Sequence, residues 1–424
     1  MAPSGRDALS SSDFVRLAAQ LATILFVAVF AGQLLRRSRQ PAVLGEMLGG
    51  VILGPTLLGA ALPGVFAWLF SSSDAANAAR ESFTRLGMLF FLFVAGLQTD
   101  LSAVRRNGRQ AVSLGLAGTL VPVVVGIALV WALPIGFWGP QAAAAPAAFA
   151  LFVGLNLANS ALPVLARTLL DLGLLETRIG TTCMAAAVVD DLVTWACFAF
   201  VLSHLAASTS VAPASAALAL PALLLLVAAS YWLGPRSLRF VKGHLSWPAG
   251  FISVTAVVLL ATASLSEALG LHAFLGAFLL GVSLSGSDLE HQQARDVIAH
   301  FALGFFAPLY FVSLGLTTNF ARSFDGVLVA VVFAAAASSK LIGVLLGARL
   351  AGLRIDREAW AIGFGLNARG ATGIILAAVG REAGVIDERV FVALAVMAFL
   401  TSLMAGPAMR SLLSRSSAAS AAES

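Results

Sequence analysis

Two adjacent carboxylates and one lysine stand where almost every other side chain is apolar. Asp190 and Asp191 interrupt the run Ala185-Ala-Ala-Val-Val-Asp-Asp-Leu-Val-Thr-Trp195, and Lys340 follows a stretch of Val, Ala and Ser. Placing an ionisable group at the centre of a bilayer costs at least about 2.5 kcal/mol even on the lenient insertion scale, so such groups need a partner or a function. Successive helical residues point about 100° apart, so one aspartate can face Lys340 while its neighbour faces a water-filled cavity. Burial and mutual charge then decide which of the three carries a proton, and a group set that way can exchange one. Asp190 and Asp191 are therefore the candidate ion- and proton-binding residues, and Lys340 is their charge partner. A structural ion pair would explain Asp190 with Lys340, but it leaves Asp191 over.

The elements that must position these groups are membrane spans. The chain has 424 residues, of which only 11 % are charged and 59 % hydrophobic, with a mean hydropathy of +0.93. These values exclude an ordinary water-soluble domain. Apolar runs close to the roughly 20 residues that cross a bilayer recur along the whole chain. They predict thirteen spans, at 14–35, 41–61, 84–98, 110–132, 144–167, 178–203, 214–238, 249–268, 271–285, 297–318, 326–349, 357–380 and 388–410. The loops after odd-numbered spans, with the C-terminal segment, hold seventeen of the 26 basic residues, and the opposite side holds seven. By the positive-inside rule the N-terminus is outside and the C-terminus in the cytoplasm of a cell (inner or plasma) membrane. The net charge of +5 is thus a matter of topology and not of nucleic-acid binding. Glu46, near the start of the second span, and Glu267, at the end of the eighth, are expected to reach water. Cys183 and Cys197 lie about four helical turns apart in one span, too far to form a disulfide. No cofactor is expected. No phosphate-binding glycine loop occurs, and the stretch after the last span, 411–424, is read as a short tail with no nucleotide-binding domain.

Depth ties the charges to two further segments. At 1.5 Å per residue, Asp190 and Asp191 lie roughly 18 to 20 Å from Arg178, and Lys340 about 14 Å from Arg349. The fifth span carries Gly154-Leu-Asn-Leu-Ala-Asn-Ser-Ala-Leu-Pro163 and the twelfth Gly363-Phe-Gly-Leu-Asn-Ala-Arg-Gly-Ala-Thr-Gly373. Asn156 and Asn367 each fall about 15 Å from the same end. Helix breakers and amides at that depth are tolerated only inside protein or along a cavity, and paired discontinuous helices mark the binding site of many secondary transporters. Asn156, Asn159, Ser160, Asn367 and Arg369 are the expected lining of the site. The spans 108–205 and 326–410 would be inverted repeats, sharing Gly-Leu-Asn at 154–156 and 365–367. The predicted fold is an all-α polytopic membrane protein with two crossing discontinuous helices.

Six stretches carry a resemblance to a known family: GEMLGGVILGPTLLG (45–59), LGMLFFLFVAGLQTDL (86–101), ALPVLARTLLDLGLLETRIG (161–180), AAVVDDLVTW (186–195), LHAFLGAFLLGV (271–282) and GLNARGATGIILA (365–377). In this order they resemble the monovalent cation/proton antiporters, in the branch of Kef-type potassium efflux systems, NapA-type sodium/proton antiporters and plant CHX exchangers. The resemblance implies a core of spans 4–6 (108–205) and 11–13 (326–410). That core would move against a dimerisation domain of spans 1–3 (14–100) and 8–10 (249–319), with span 7 (214–240) as connector and a polar N-terminal tail at 1–13. It implies a homodimer that exchanges Na⁺ or K⁺ for protons by alternating access, with Asp191 as the principal ion carboxylate and Lys340 pairing with Asp190. Paired aspartates resemble the electrogenic members. The amides Asn156 and Asn159 depart from the Thr or Ser common in that stretch. Three other functions compete. An intramembrane aspartyl protease needs two carboxylates facing one water, whereas adjacent helical residues diverge. A sensor or accessory protein would have no use for costly buried charges, and a channel would move ions without protons.

Overall fold

The computed structural model describes residues 10–38, 42–71, 73–98, 101–206, 225–233, 236, 249–269, 273–285 and 296–422. Most of the seventh predicted span lies outside the described residues. The main helices are α1 (Ser11–Arg37), α2 (Ala42–Leu53), α3 (Asp74–Leu97), α4 (Leu101–Ala132), α5 (Pro146–Ala158), α6 (Leu162–Asp171), α7 (Arg178–Ala206), α8 (Ala249–Ala268), α9 (Ala273–Ser283), α10 (Ala307–Leu316), α11 (Gly326–Leu350), α12 (Arg357–Leu366), α13 (Gly370–Glu382) and α14 (Glu388–Ala422). No strand occurs among the described residues, and seven of their helical stretches are long and apolar enough to cross a membrane.

Boundaries depart from the hydropathy reading where helix and apolar run are different things. Helix α3 starts ten residues before the predicted 84, because a charged turn continues the helix; there Arg85 pairs with Glu81 at 2.7 Å. Helix α14 runs on to Ala422 through what reads as a tail. The fifth and twelfth spans are each two helices, α5 with α6 and α12 with α13, separated at 159–161 and 367–369.

Contacts divide the chain into two compact units. The first comprises 1–94, 245–254 and 287–323. In it α2 packs between α1 and α10 on a stripe of glycines that lets backbones approach. A Cβ on Gly49 would sit 2.8 Å from Val27, one on Gly54 2.8 Å from the Gly315 carbonyl, and one on Gly315 2.5 Å from the Met47 carbonyl. This close packing also covers Glu46. The side chain is 7 % exposed and its Oε2 has no hydrogen-bond partner, so it does not reach water as its position near a helix start suggests.

The second unit comprises 95–244, 255–286 and 324–424. Helix α4 is its hub, with α5, α7 and α11 packed against it. Small residues again set the spacing. Gly126 meets Gly154 of α5, Gly115 meets the Ala186 carbonyl of α7, and Gly343 and Gly347 of α11 meet the carbonyls of Ala117 and Ser113. Side-chain caps fix where helices begin: Asp325 accepts from the amides of Val327 and Leu328 at 3.0 Å, and Asp356 from that of Ala359 at 3.0 Å. Cys183 packs in an apolar cluster with Leu165, Val344 and Leu366.

Candidate functional site

The two interrupted helices meet at their interruptions. The Ala161 amide donates to the Ala368 carbonyl at 2.7 Å, and Ser160 Oγ to the Leu366 carbonyl at 2.6 Å. Asn159 Nδ2 donates to Thr372 Oγ1 at 3.0 Å. Each strand of non-helical backbone thus satisfies groups that the other leaves open, which is what permits such backbone away from water. The second half-helix of the pair starts at Gly370, whose φ of +45° and contact with Val164 leave no room for a side chain. Its amide donates to Ser402 Oγ of α14 at 2.8 Å.

The cations sit at the carbonyl ends of the half-helices. Lys340 Nζ donates to the Ala158 carbonyl at 2.5 Å. Arg369, fully buried, donates to the carbonyls of Asn367 (3.0 Å), Ala336 (2.9 Å) and Leu157, and to Asn367 Oδ1 (2.5 Å). The last turn of a helix carries a partial negative charge and unpaired carbonyls, and two cations placed there offset both.

The carboxylates complete the site. Lys340 Nζ lies 3.0 Å from Asp190 Oδ1, with both side chains 1 % exposed. Thr119 Oγ1 of α4 is in hydrogen-bonding contact with the same oxygen and lies 2.8 Å from its own Gly115 carbonyl, so one hydroxyl proton has two acceptors. Asp190 Oδ2 and Asp191 Oδ1 have no hydrogen-bond partner, and Asp191 is 3 % exposed. Asp191 is therefore largely enclosed in this structure.

Every residue named from sequence as site lining is buried, but they do not all occupy the interruption. Asn159 and Ser160 are in the first break and Asn367 and Arg369 in the second, whereas Asn156 lies inside α5, where its Nδ2 donates to the Phe152 carbonyl at 3.1 Å. Gly154 is likewise a packing residue. The shared Gly-Leu-Asn is consequently offset: its asparagine begins the break in one repeat and precedes it by three residues in the other. Thr119, Thr372 and Ser402 belong to the site and were not singled out from sequence. Their only signal is a hydroxyl in an apolar span, which ordinary helices also carry.

The family profile for the transmembrane part of the sodium/hydrogen exchangers matches residues 22–415. The chain belongs to that family. Among relatives, this exchanger-family chain is 33 % identical over 399 residues to Cation/H(+) antiporter 18 of Arabidopsis thaliana, covering 92 % of this chain and 48 % of the plant protein. The chain therefore spans about half the length of the plant relatives it matches. It is 28 % identical to the Na(+)/H(+)-K(+) antiporter GerN of Bacillus cereus, covering 92 % and 95 % of the two chains. The solved sodium proton antiporter MjNhaP1 of Methanocaldococcus jannaschii shares the fold with a TM-score of 0.66 at 16 % identity, covering 95 % of this chain and 99 % of that one. Membership in a transporter family answers the enzymatic alternative, and an exchanger-family chain is not a protease.

Proposed function

We propose that this exchanger-family protein carries a monovalent cation, Na⁺ or K⁺, across a cell membrane in exchange for protons, by alternating access. The observation that carries this reading is the asymmetry of the aspartates: Asp190 is held by Lys340 and Thr119, while Asp191 beside it presents an unpartnered buried oxygen. A carboxylate in that state is stabilised by a proton or by a cation but not by both at once, and competition for one group is sufficient to couple the two fluxes. The names of the relatives support the same class of substrate. In this reading exchange is electrogenic, on the resemblance of the paired aspartates to the electrogenic members. The N-terminus lies outside and the C-terminus in the cytoplasm, and the protein works as a homodimer with Asn159, Ser160, Asn367 and Arg369 shaping the site.

The test is proton flux in proteoliposomes followed by a pH-sensitive dye, with Na⁺, K⁺ and Li⁺ added in turn to wild type and Asp191→Asn. Cation-dependent flux in wild type that Asp191→Asn abolishes is the expected result. Wild-type protein that moves no protons with any cation between pH 6 and 9 overturns the reading.

A further inference from the structure

Thr194 is a buried threonine inside α7 whose hydroxyl has no hydrogen-bond partner. A helical threonine ordinarily returns its hydroxyl to a carbonyl of the preceding turn. Thr119, Thr262 and Thr401 all do so here, at 2.7 to 2.9 Å. Thr194 therefore points its hydroxyl elsewhere. Three and four residues beyond Asp191 and Asp190, it shares their face of α7.

Two contacts set the register of α5 against α7. The rings of Phe152 (α5) and Phe198 (α7) meet at 5.8 Å, and Lys340 joins the Ala158 carbonyl of α5 to Asp190 of α7. Between these two levels, one turn from Phe152 along α5 is Asn156, and one turn from Phe198 along α7 is Thr194. Asn156 is also buried, commits its Nδ2 to the Phe152 carbonyl, and has an Oδ1 with no partner. Two neutral oxygens are thus left bare at one level of the α5–α7 contact, about 6 Å along the helix from the carboxylates. Beyond the Phe152–Phe198 contact the rings continue: Phe198 meets Phe274 at 5.7 Å, and Trp195 meets Phe274 at 5.3 Å and Phe278 at 5.8 Å.

We propose that Thr194 Oγ1 and Asn156 Oδ1 form a second, neutral binding position for the transported monovalent cation, one helical turn from the Asp190–Asp191 pair toward the Phe152–Phe198 contact. Hydroxyl and amide oxygens replace a cation's hydration without holding it as a carboxylate does, and a path of several moderate sites lets an ion both enter and leave. Of the cationic side chains nearby, Lys340 and Arg369 are taken up by Asp190 and by backbone carbonyls, so neither competes for these oxygens.

This position rests on the exchange reading above, and the experiment separates the two. In proteoliposomes, the cation concentration giving half-maximal proton flux is measured for wild type, Thr194→Val, Thr194→Ser and Asn156→Leu, with Na⁺, K⁺ and Li⁺. Thr194→Val and Asn156→Leu are expected to raise it about fivefold or more, the loss of one ligand of hydrogen-bond strength, while Thr194→Ser stays within about twofold. Asn156→Leu gives the answer independently if Thr194→Val does not fold. Folded variants that exchange with wild-type half-saturation overturn this position and leave the exchange reading intact. A wild type that exchanges nothing overturns both.

Discussion

Lys340 Nζ stands 3.0 Å from Asp190 Oδ1 and 2.5 Å from the Ala158 carbonyl, so one ammonium answers both a buried carboxylate and the open end of a half-helix. Removing one partner of such a pair leaves the other charge uncompensated, at a cost of about 3 to 5 kcal/mol, whereas replacing both by neutral groups of similar size is often close to neutral. Thermal unfolding in detergent should show a large drop for Lys340→Met and a substantial recovery in Asp190→Asn/Lys340→Met. If the double variant is as unstable as the single, the pair is not what Lys340 contributes.

Asp191 should behave in the opposite way. Its Oδ1 has no partner and its neighbour holds the lysine, so the charged form is unfavourable where it sits. Asp191→Asn keeps the shape and removes the charge. The expected melting temperature is unchanged or higher than wild type, while Asp190→Asn lowers it. A fall for Asp191→Asn as large as that for Lys340→Met would mean that Asp191 holds a structural bond.

Gly370 begins the second half-helix at φ +45° with Val164 and Ala161 against it. A side chain there brings backbone strain of about 1 to 3 kcal/mol and an overlap besides. Gly384, at φ +71° with open space around it, isolates the backbone part. Gly370→Ala should therefore lower the melting temperature more than Gly384→Ala, and adding Val164→Ala should restore part of the difference. Equal effects of the two glycine changes would show that the crossing tolerates the extra carbon.

Asp325 divides its two oxygens: Oδ1 caps α11, and Oδ2 pairs with Arg389 at 2.9 Å. The pair is about a third exposed, which limits it to no more than about 1 kcal/mol, while loss of an N-cap costs about 0.5 to 2 kcal/mol. Asp325→Ala should thus destabilise more than Arg389→Ala, and Asp325→Asn, which can still cap, should fall near wild type. Chemical denaturation of the three variants reads the order directly, and a reversed order would place the weight on Arg389, which also donates to the Phe137 carbonyl.

How much of the site was legible differs residue by residue. Asp190, Asp191 and Lys340 stand out because charge in an apolar run is costly wherever the chain folds. The interruptions were legible only as stretches, 154–163 and 363–373, because helix breakers and amides gather there in otherwise apolar runs. The repeat tripeptide misled in one respect. Gly154 and Asn156 look like breakers, but Gly154 is the contact of α5 with Val123 and Gly126 of α4, and Asn156 remains helical. Local composition does not distinguish a glycine that ends a helix from one that lets two helices touch.

Glu46, Thr119 and Thr194 were not legible, and the cause is shared. The burial of Glu46 follows from the glycine stripe of α2 meeting α1, the part of Thr119 from α4 lying beside α7, and the burial of Thr194 from the elements packed on α7. Hydropathy, capping and the price of a buried charge act within a segment, so the sequence by itself determined the helical membrane class, the pair of broken helices and the charged residues at their depth. Which oxygen faces which cation depends on the packing of helices far apart in the chain. The resemblance already implied Lys340 with Asp190; only the tertiary structure decided that the same ammonium also closes the Ala158 carbonyl and that Asp191 is left with an unsatisfied oxygen.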